Sequence, residues 1–393
     1  MVSERMLGLG TARSVIRELF EYGNQRKTIV GAENVFDFSL GNPSVPAPKE
    51  VNETIIRILQ ENPDAIHCYT SAPGDATARQ RFADSINRRF DETCKADNFY
   101  ITVGAAAALC CVLNGLSCPG DEFITFAPYF PEYKVFVEGA GAALKVVPPE
   151  IEGFQIDFAA FEALINEHTK GVIVNSPNNP SGVVYSRQTL EKLAAILEEK
   201  SAAYGHPIYL ISDEPYREIV FAGFEAAWIP HIYKDTIVCY SFSKSLSMPG
   251  ERLGYVLVPD RVTDSRMVYA AVAGAGRSQG YVNAPSLFQQ VTSLCCELTA
   301  DISVYESNCK LLVEELRAMG YHVVQPGGAF YLFPRSLEAD DLAFSERAKE
   351  FDLLLVPGSG FGAPGHFRIS YCVQPEMIQR SLPKFRALAE SYR

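Results

Sequence analysis

The sequence predicts an α/β fold in which a large domain holds a mostly parallel, seven-stranded sheet beside a smaller α+β domain. Seven short β-rich runs indicate the strands, at residues 99–103, 122–126, 144–147, 171–174, 208–212, 236–241 and 253–258. Helical patterns separate the earlier runs, at residues 105–116, 130–139, 157–166 and 186–204. Strands that alternate with helices favour a parallel sheet. Ligands of such sheets bind beyond the carboxyl ends of the strands, so we expect the site residues there.

The smaller domain is predicted from a change of pattern after residue 285. A long helical segment at residues 286–319 precedes a terminal helix and short strands near residues 321–324, 329–333 and 366–371. A Gly/Pro-rich stretch at residues 41–48 separates the N-terminal residues from the α/β core. We therefore expect a large domain at residues 46–285 and a discontinuous small domain of residues 1–45 and 286–393.

The composition is that of an ordinary globular protein: 393 residues, 47% hydrophobic and 21% charged, with a net charge of −12. No Lys/Arg-rich block and no run of roughly 20 apolar residues occurs, so neither a nucleic acid nor a membrane is an expected partner. The N-terminal residues lack the apolar stretch of a signal peptide. The ten cysteines show no metal-ligand spacing. We expect a cytoplasmic protein with reduced thiols and no metal site.

The first candidate motif is Ser241-Phe-Ser-Lys244, where a lysine follows a predicted strand. Partial burial disfavours an ammonium group and lowers its pKa, which makes the amine a usable nucleophile. Arg252 follows eight residues later, after Pro249-Gly250. Taken alone, the motif suits a surface lysine at a strand end better than a reactive lysine.

Polar residues also follow two other predicted strands. One strand ends at Asp213, with Tyr216 three residues later, and another leads into Asn178-Asn179-Pro180. An aspartate at a strand end can pair with a cationic ring nitrogen, and a tyrosine can donate to a phenolate oxygen. A helix cap by Asp213 and an ordinary Asn/Pro turn are the competing interpretations.

A run of small residues, Gly104 followed by four alanines, joins a strand to a helix. The free backbone N–H groups and the dipole of such a helix start attract an anion such as a phosphate. Close packing of the helix start is the competing interpretation.

These motifs occur together with four others: His67-Cys-Tyr69, Gly41, Phe130 and Phe367-Arg368-Ile369. In combination they resemble class I/II aminotransferases of the aspartate-aminotransferase fold, which are fold-type I pyridoxal-phosphate enzymes. The resemblance covers roughly residues 35–375, with the motifs in the family's order and at compatible spacings. It implies pyridoxal 5′-phosphate as the cofactor. It also implies ping-pong transfer of an amino group from an L-amino acid to a 2-oxo acid.

The resemblance further implies a role for each matching residue at the cofactor. Lys244 would form a Schiff base with it and move the proton between Cα and C4′ of the substrate–cofactor pair. Asp213 would pair with the protonated pyridine nitrogen, which keeps the ring an electron sink. Tyr216 and Asn179 would hydrogen-bond the 3′-oxygen and hold down the pKa of the Schiff base. The phosphate contacts would come from Arg252, Ser241 and Ser243, and from the backbone N–H groups of Ala105 and Ala106.

Phe130 occupies the position whose aromatic ring stacks on the cofactor, and Tyr129 is the alternative if the register is shifted by one residue. On the substrate side, Arg368 would bind the α-carboxylate in a bidentate pair, helped by Asn179 and the backbone of Gly41. The shape of the substrate pocket depends on an N-terminal arm around residues 11–20.

Tyr69 would reach the phosphate of the neighbouring subunit, which makes a homodimer necessary for a complete site. Two departures from the family pattern leave the substrate open. The phosphate turn carries Ala106 where many relatives have a hydroxyl or a lysine. Ser278 occupies the position of the arginine that binds the distal carboxylate in aspartate-specific relatives, with Arg277 adjacent. That route to dicarboxylate specificity is lost unless Arg277 turns inward.

Two other functions compete with transamination. The same site could serve a pyridoxal-phosphate lyase that eliminates a β- or γ-substituent, for example a C–S lyase or a cyclopropane-forming synthase. Release of pyruvate from cysteine-type substrates without a keto-acid acceptor would distinguish it. A regulator that uses the fold as an effector sensor usually carries a DNA-binding module, and the negative charge weighs against DNA.

Overall fold

A computed structural model describes residues 2–11 and 15–393, so Ala12, Arg13 and Ser14 of the N-terminal arm lie outside the described residues. The strands of the described chain are β1 (Phe36–Asp37), β2 (Phe99–Thr102), β3 (Glu122–Phe126), β4 (Ala143–Val147), β5 (Thr169–Asn175), β6 (Tyr209–Asp213), β7 (Thr236–Ser241), β8 (Gly254–Leu257), β9 (Tyr331–Leu332), β10 (Leu353–Leu354), β11 (Val356–Pro357) and β12 (Phe367–Ser370).

The helices in the same part of the chain are α1 (Glu4–Thr11), α2 (Val15–Val30), α3 (Lys49–Glu61), α4 (Ala76–Phe90), α5 (Ala105–Leu116), α6 (Glu132–Gly139), α7 (Phe158–Leu164), α8 (Arg187–Tyr204), α9 (Phe242–Ser245), α10 (Ser265–Ser278), α11 (Ser286–Leu294), α12 (Ser303–Met319), α13 (Asp341–Lys349) and α14 (Pro375–Glu390). None of these described helices is both long and apolar enough to cross a membrane.

The central sheet has the strand order β2-β8-β7-β6-β5-β3-β4. Its pairs are parallel except where β8 lies antiparallel to β2 and β7, which confirms the predicted mostly parallel, seven-stranded sheet. Every residue of β6 and β7 is buried, as expected for strands covered by helices on both faces. Because β5, β6 and β7 are neighbours and parallel, their carboxyl ends meet at one edge.

A second layer of structure packs at that edge. β9, β12 and β11 form a three-stranded antiparallel sheet, and β1 pairs with β10. Helices α12 and α14 contact each other, and their apolar residues share one core with Phe330, which directly precedes β9. Tyr216 of the central-sheet region belongs to the same core, so the two parts meet around it.

The predicted single helix over residues 286–319 is wrong, because the structure has α11 and α12 with a break between them. At the break, the N–H of Ala300 donates to the carbonyl of Ser245 over 2.7 Å instead of continuing a helix. The carboxylate of Asp301 then accepts from the N–H of Ser303, where α12 begins. The strand predicted near residues 321–324 is also not formed, since the guanidinium of Arg317 binds the carbonyl of Val323.

The division into two domains stays a prediction. Helix α11, which the proposed boundary assigns to the small domain, packs against α3 and α4. Its Val291 lies in one buried cluster with Val51 and Phe82. These contacts favour a boundary after α11, near Ala300.

Candidate active site

A cavity of about 290 Å³ opens at the carboxyl ends of β5, β6 and β7. All of the predicted cofactor and substrate residues except Tyr69 line it, namely Gly41, Ala105, Ala106, Phe130, Asn179, Asp213, Tyr216, Ser241, Ser243, Lys244, Arg252 and Arg368. The central sheet, the start of α5 and the small sheet each contribute to the wall. Residues far apart in sequence therefore converge on one space.

Lys244 lies on α9, the single helical turn that follows β7. Its Nζ donates to the carbonyl of Gly41 over 2.6 Å. Burial lowers the pKa of Lys244 to about 8, and the positive charges of Arg252 and Arg368 lower it as well. An amine with this pKa is neutral far more often near neutral pH than an ordinary lysine, and the neutral form is the one that a nucleophile requires.

Asp213, the last residue of β6, has two carboxylate oxygens in different situations. Oδ2 accepts a hydrogen bond from the hydroxyl of Tyr133 over 2.5 Å. Oδ1 is buried and has no hydrogen-bond partner among the described residues. Burial raises the pKa of Asp213 to about 7, against the lowering effect of the Tyr133 hydrogen bond. A buried acceptor without a donor is costly, so this oxygen is suited to receive a donor from a bound group.

The opposite end of the cavity has the features of an anion site. Helix α5 begins after Gly104 with no side-chain cap, which leaves its first backbone N–H groups free. The hydroxyls of Ser241 and Ser243 lie 2.7 Å apart. The φ of Gly104 is +93°, and a Cβ there would lie 2.8 Å from Nη2 of Arg252. A side chain at Gly104 would therefore crowd the guanidinium that faces this end.

Arg368, on β12, is completely buried and only partly bonded. Nη1 donates to Oδ1 of Asn179 over 3.0 Å and Nη2 donates to the carbonyl of Ser39, whereas Nε has no partner among the described residues. The guanidinium lies between the rings of Tyr331 and Phe361, at 4.9 and 5.0 Å from their centroids. Burial lowers the pKa of Arg368. The free Nε is available to an anionic ligand.

Phe130 lines the cavity, and its ring meets that of Tyr133 edge to face with centroids 5.7 Å apart. Tyr129 is not among the lining residues, and its N–H donates to the carbonyl of Phe361. The placement favours Phe130 over Tyr129 as the stacking ring.

Tyr69, expected to act across a subunit boundary, and Arg277 and Ser278, named for substrate specificity, are not among the residues that line the cavity. Tyr69 is 95% exposed. The amide of Asn283 donates to the carbonyl of Thr70, so the segment after α10 runs beside Tyr69. Arg277 and Ser278, at the end of α10, are both exposed, and the hydroxyl of Ser278 donates to the carbonyl of Ala275 in its own helix.

Several lining or supporting residues were not among the predicted site residues. Asn175 fixes two of them, since its amide donates to the carbonyl of Asp213 and its oxygen accepts from the N–H of Asn179. Its position at the end of a predicted strand is the feature of the sequence that could have identified Asn175. Tyr133 gave no sequence signal. Tyr331 lies within the short strand predicted near residues 329–333.

Known proteins share this architecture. Residues 33–385 match the family described as aminotransferase class I and II. The chain is 32% identical to the aspartate aminotransferase of Thermotoga maritima, over 91% of this chain and 92% of that one. It is 30% identical to the aspartate/prephenate aminotransferase of Thermus thermophilus, over 88% of each chain.

Solved structures agree. An aminotransferase from Eubacterium rectale superposes with a TM-score of 0.98 at 55% identity, covering 100% of this chain and 99% of that one. The Thermotoga maritima aspartate aminotransferase superposes with a TM-score of 0.86 at 30% identity, covering 98% and 99%.

The chain belongs to the aminotransferase class I and II family, with the fold-type I architecture predicted from its sequence. It is an enzyme that transfers an amino group from an amino acid to a 2-oxo acid. Family membership implies pyridoxal 5′-phosphate as the cofactor. The resemblance and the predicted reaction class are confirmed, and none of these relatives favours the alternative C–S lyase.

Proposed function

We propose that transamination takes place in this cavity, with pyridoxal 5′-phosphate linked to Lys244, in a cytoplasmic homodimer. When bound, the cofactor withdraws electrons from the substrate Cα and stores the amino group between the two half-reactions. The observation that carries this proposal is the buried, unpartnered Oδ1 of Asp213 in the same cavity as Lys244. A protonated pyridine nitrogen would supply the donor that this oxygen lacks.

The anion site at the start of α5 fits a phosphate. Arg252 supplies the charge, while Ser241 and Ser243 supply two hydroxyls and the α5 backbone supplies N–H groups. The polar groups of the cavity therefore fit both ends of pyridoxal 5′-phosphate. The carboxylate of Asp213 fits the ring nitrogen, and the hydrogen-bond donors near α5 fit the phosphate. Phe130 would cover one face of the ring.

Substrate binding is assigned to the small-sheet side of the cavity. The free Nε of Arg368 would bind the α-carboxylate, and Asn179 holds the guanidinium in place. Once a substrate amine has taken its place on the cofactor, the released Lys244, with its pKa lowered to about 8, would accept the Cα proton on Nζ and deliver it to C4′. Its hydrogen bond to the carbonyl of Gly41 would hold the amine beside the substrate position in the meantime.

The dimer is proposed from Tyr69, whose ring is exposed and would complete a neighbouring site. We also propose acidic amino acids among the donors, because two relatives are named aspartate and aspartate/prephenate aminotransferases. Among the described lining residues, the lysine and arginines are Lys244, Arg252 and Arg368, and each already has a role. The distal carboxylate would therefore need Arg277 from the neighbouring subunit, which is exposed and lies at the end of α10.

The test is a set of single half-reactions in which the purified protein, loaded with pyridoxal 5′-phosphate, is mixed with one amino acid at a time. We expect the absorbance of the pyridoxal form to convert to that of the pyridoxamine form, and Lys244→Ala to lose this conversion while retaining some cofactor. Lys200→Ala, on α8 and not among the residues that line the cavity, is the matched control and should convert normally. Normal conversion by Lys244→Ala would contradict the proposal.

A further inference from the structure

Tyr331 is a buried tyrosine of β9 whose hydroxyl faces the catalytic cavity. Its side chain is 2% exposed, and its hydroxyl lies 2.9 Å from the hydroxyl of Tyr216. Within the described residues, neither hydroxyl makes another hydrogen bond, so the two phenols share one bond. The rings meet edge to face, at 87° with centroids 5.6 Å apart.

The number of protons fixes the direction of that bond once Tyr216 has a ligand. Each phenol carries one proton and can donate one hydrogen bond. If Tyr216 donates its hydrogen bond to the 3′-oxygen of the cofactor, it has no proton left to donate to Tyr331. The shared bond must then be donated by Tyr331. A hydroxyl that accepts a hydrogen bond becomes a stronger donor, by about 10–30% for one added bond.

We propose that Tyr331 is a positioning residue, which donates to Tyr216 and thereby directs and strengthens the hydrogen bond from Tyr216 to the cofactor. The proposal rests on the function proposed above, because it assumes a cofactor oxygen opposite Tyr216. Tyr331 itself need not touch the reacting atoms.

The surroundings hold the Tyr331 hydroxyl in this position. A Cβ at Gly41 would clash with that hydroxyl, so the glycine leaves the space that the phenol fills. The face of the ring lies against the guanidinium of Arg368. Replacement by phenylalanine keeps this ring contact and removes only the hydroxyl, so the two roles of the side chain can be separated.

The experiment is a pH titration of the visible absorption band of the loaded protein. Donation from Tyr216 draws negative charge from the 3′-oxygen, and this disfavours the protonated form of the neighbouring lysine–cofactor linkage. Tyr216→Phe should therefore raise the pH midpoint. Tyr331→Phe should also raise it, by about 10–30% of that shift. In the double variant, Tyr331→Phe should add nothing, because its effect passes through Tyr216.

Tyr321→Phe is the matched control, since Tyr321 is a buried tyrosine of the same core whose hydroxyl donates to the carbonyl of Phe385. It should leave the midpoint unchanged. If Tyr331→Phe binds the cofactor poorly, Gly41→Ala can be titrated instead. The added methyl group should displace the Tyr331 hydroxyl and raise the pH midpoint.

The proposal is overturned if Tyr331→Phe leaves the midpoint of the wild type in place while Tyr216→Phe shifts it. It is equally overturned if Tyr331→Phe shifts the midpoint by the same amount with and without Tyr216. A wild-type protein that forms no visible band with pyridoxal 5′-phosphate would instead contradict the proposed function.

Discussion

The hydroxyl of Tyr133 lies 2.5 Å from Oδ2 of Asp213, and Oδ1 of the same carboxylate has no partner among the described residues. The two residues are 80 positions apart in the sequence, on α6 and β6. Burial favours the neutral acid, whereas the donated hydrogen bond favours the carboxylate. Tyr133 thus helps to keep Asp213 ionised where a protonated ring nitrogen would need an anion.

Replacing Tyr133 by phenylalanine should weaken catalysis without displacing the ring packing. A hydrogen bond to a charged group contributes about 1.5–3 kcal/mol, so we expect kcat near pH 7 to fall by about tenfold or more. The KM for the amino acid should change little, because Arg368 is untouched. Steady-state kinetics check this, with Tyr185→Phe as a control at a buried tyrosine that does not line the cavity. An unchanged kcat would show that Asp213 does not depend on Tyr133.

Asp213 should make the cofactor-free protein less stable as the pH rises. Its pKa is raised to about 7 in the folded chain, against about 3.9 for an exposed aspartate. The folded chain therefore holds its proton more tightly than the unfolded chain does. The free energy of unfolding is therefore unaffected below pH 4, falls between pH 4 and pH 7, and stays at its lowered value above pH 7.

The measurement is the free energy of unfolding of the cofactor-free protein and of Asp213→Asn at several pH values. We expect the difference between them to favour the asparagine variant increasingly from pH 4 to pH 7, and to stay constant above that. A difference that does not depend on pH would contradict the raised pKa. Denaturation with urea at each pH gives the values directly.

Arg277 should determine the preference for acidic donors. If it pairs with the distal carboxylate across the subunit boundary, Arg277→Ala should lower kcat/KM for aspartate by about tenfold, the effect of one charge-assisted hydrogen bond. The kcat/KM for alanine as the substrate should stay unchanged. Ser278→Ala is the matched control, because that hydroxyl bonds within its own helix. Equal losses for aspartate and alanine would argue against a role in specificity.

The parts of the fold that depend on local pattern could be predicted from the sequence. Helix α5 begins and ends at the predicted residues, 105 and 116, because small and apolar residues follow a glycine start. The strands of the central sheet were recognisable because they are short, apolar and regularly separated. The break between α11 and α12 was not, since it depends on a bond from Ala300 to Ser245, far away in the sequence.

The same distinction holds for the site. The site residues that could be predicted end or follow strands of the parallel sheet, where ligands of α/β proteins bind: Asp213 ends β6, Lys244 follows β7 and Asn179 follows β5. Tyr133 lies within a helix and is recognised only when the fold brings it to Asp213. The role predicted for Tyr69 requires a second subunit, so it stays a prediction.

The most direct test of the account is to identify the lysine that carries the cofactor. The protein is loaded with pyridoxal 5′-phosphate, reduced with borohydride to fix the linkage, digested, and analysed by peptide mass spectrometry. We expect a pyridoxyl-phosphate label on the peptide that contains Lys244, and loss of that label in Lys244→Ala. A label on another lysine, or none in the wild-type protein, would contradict it.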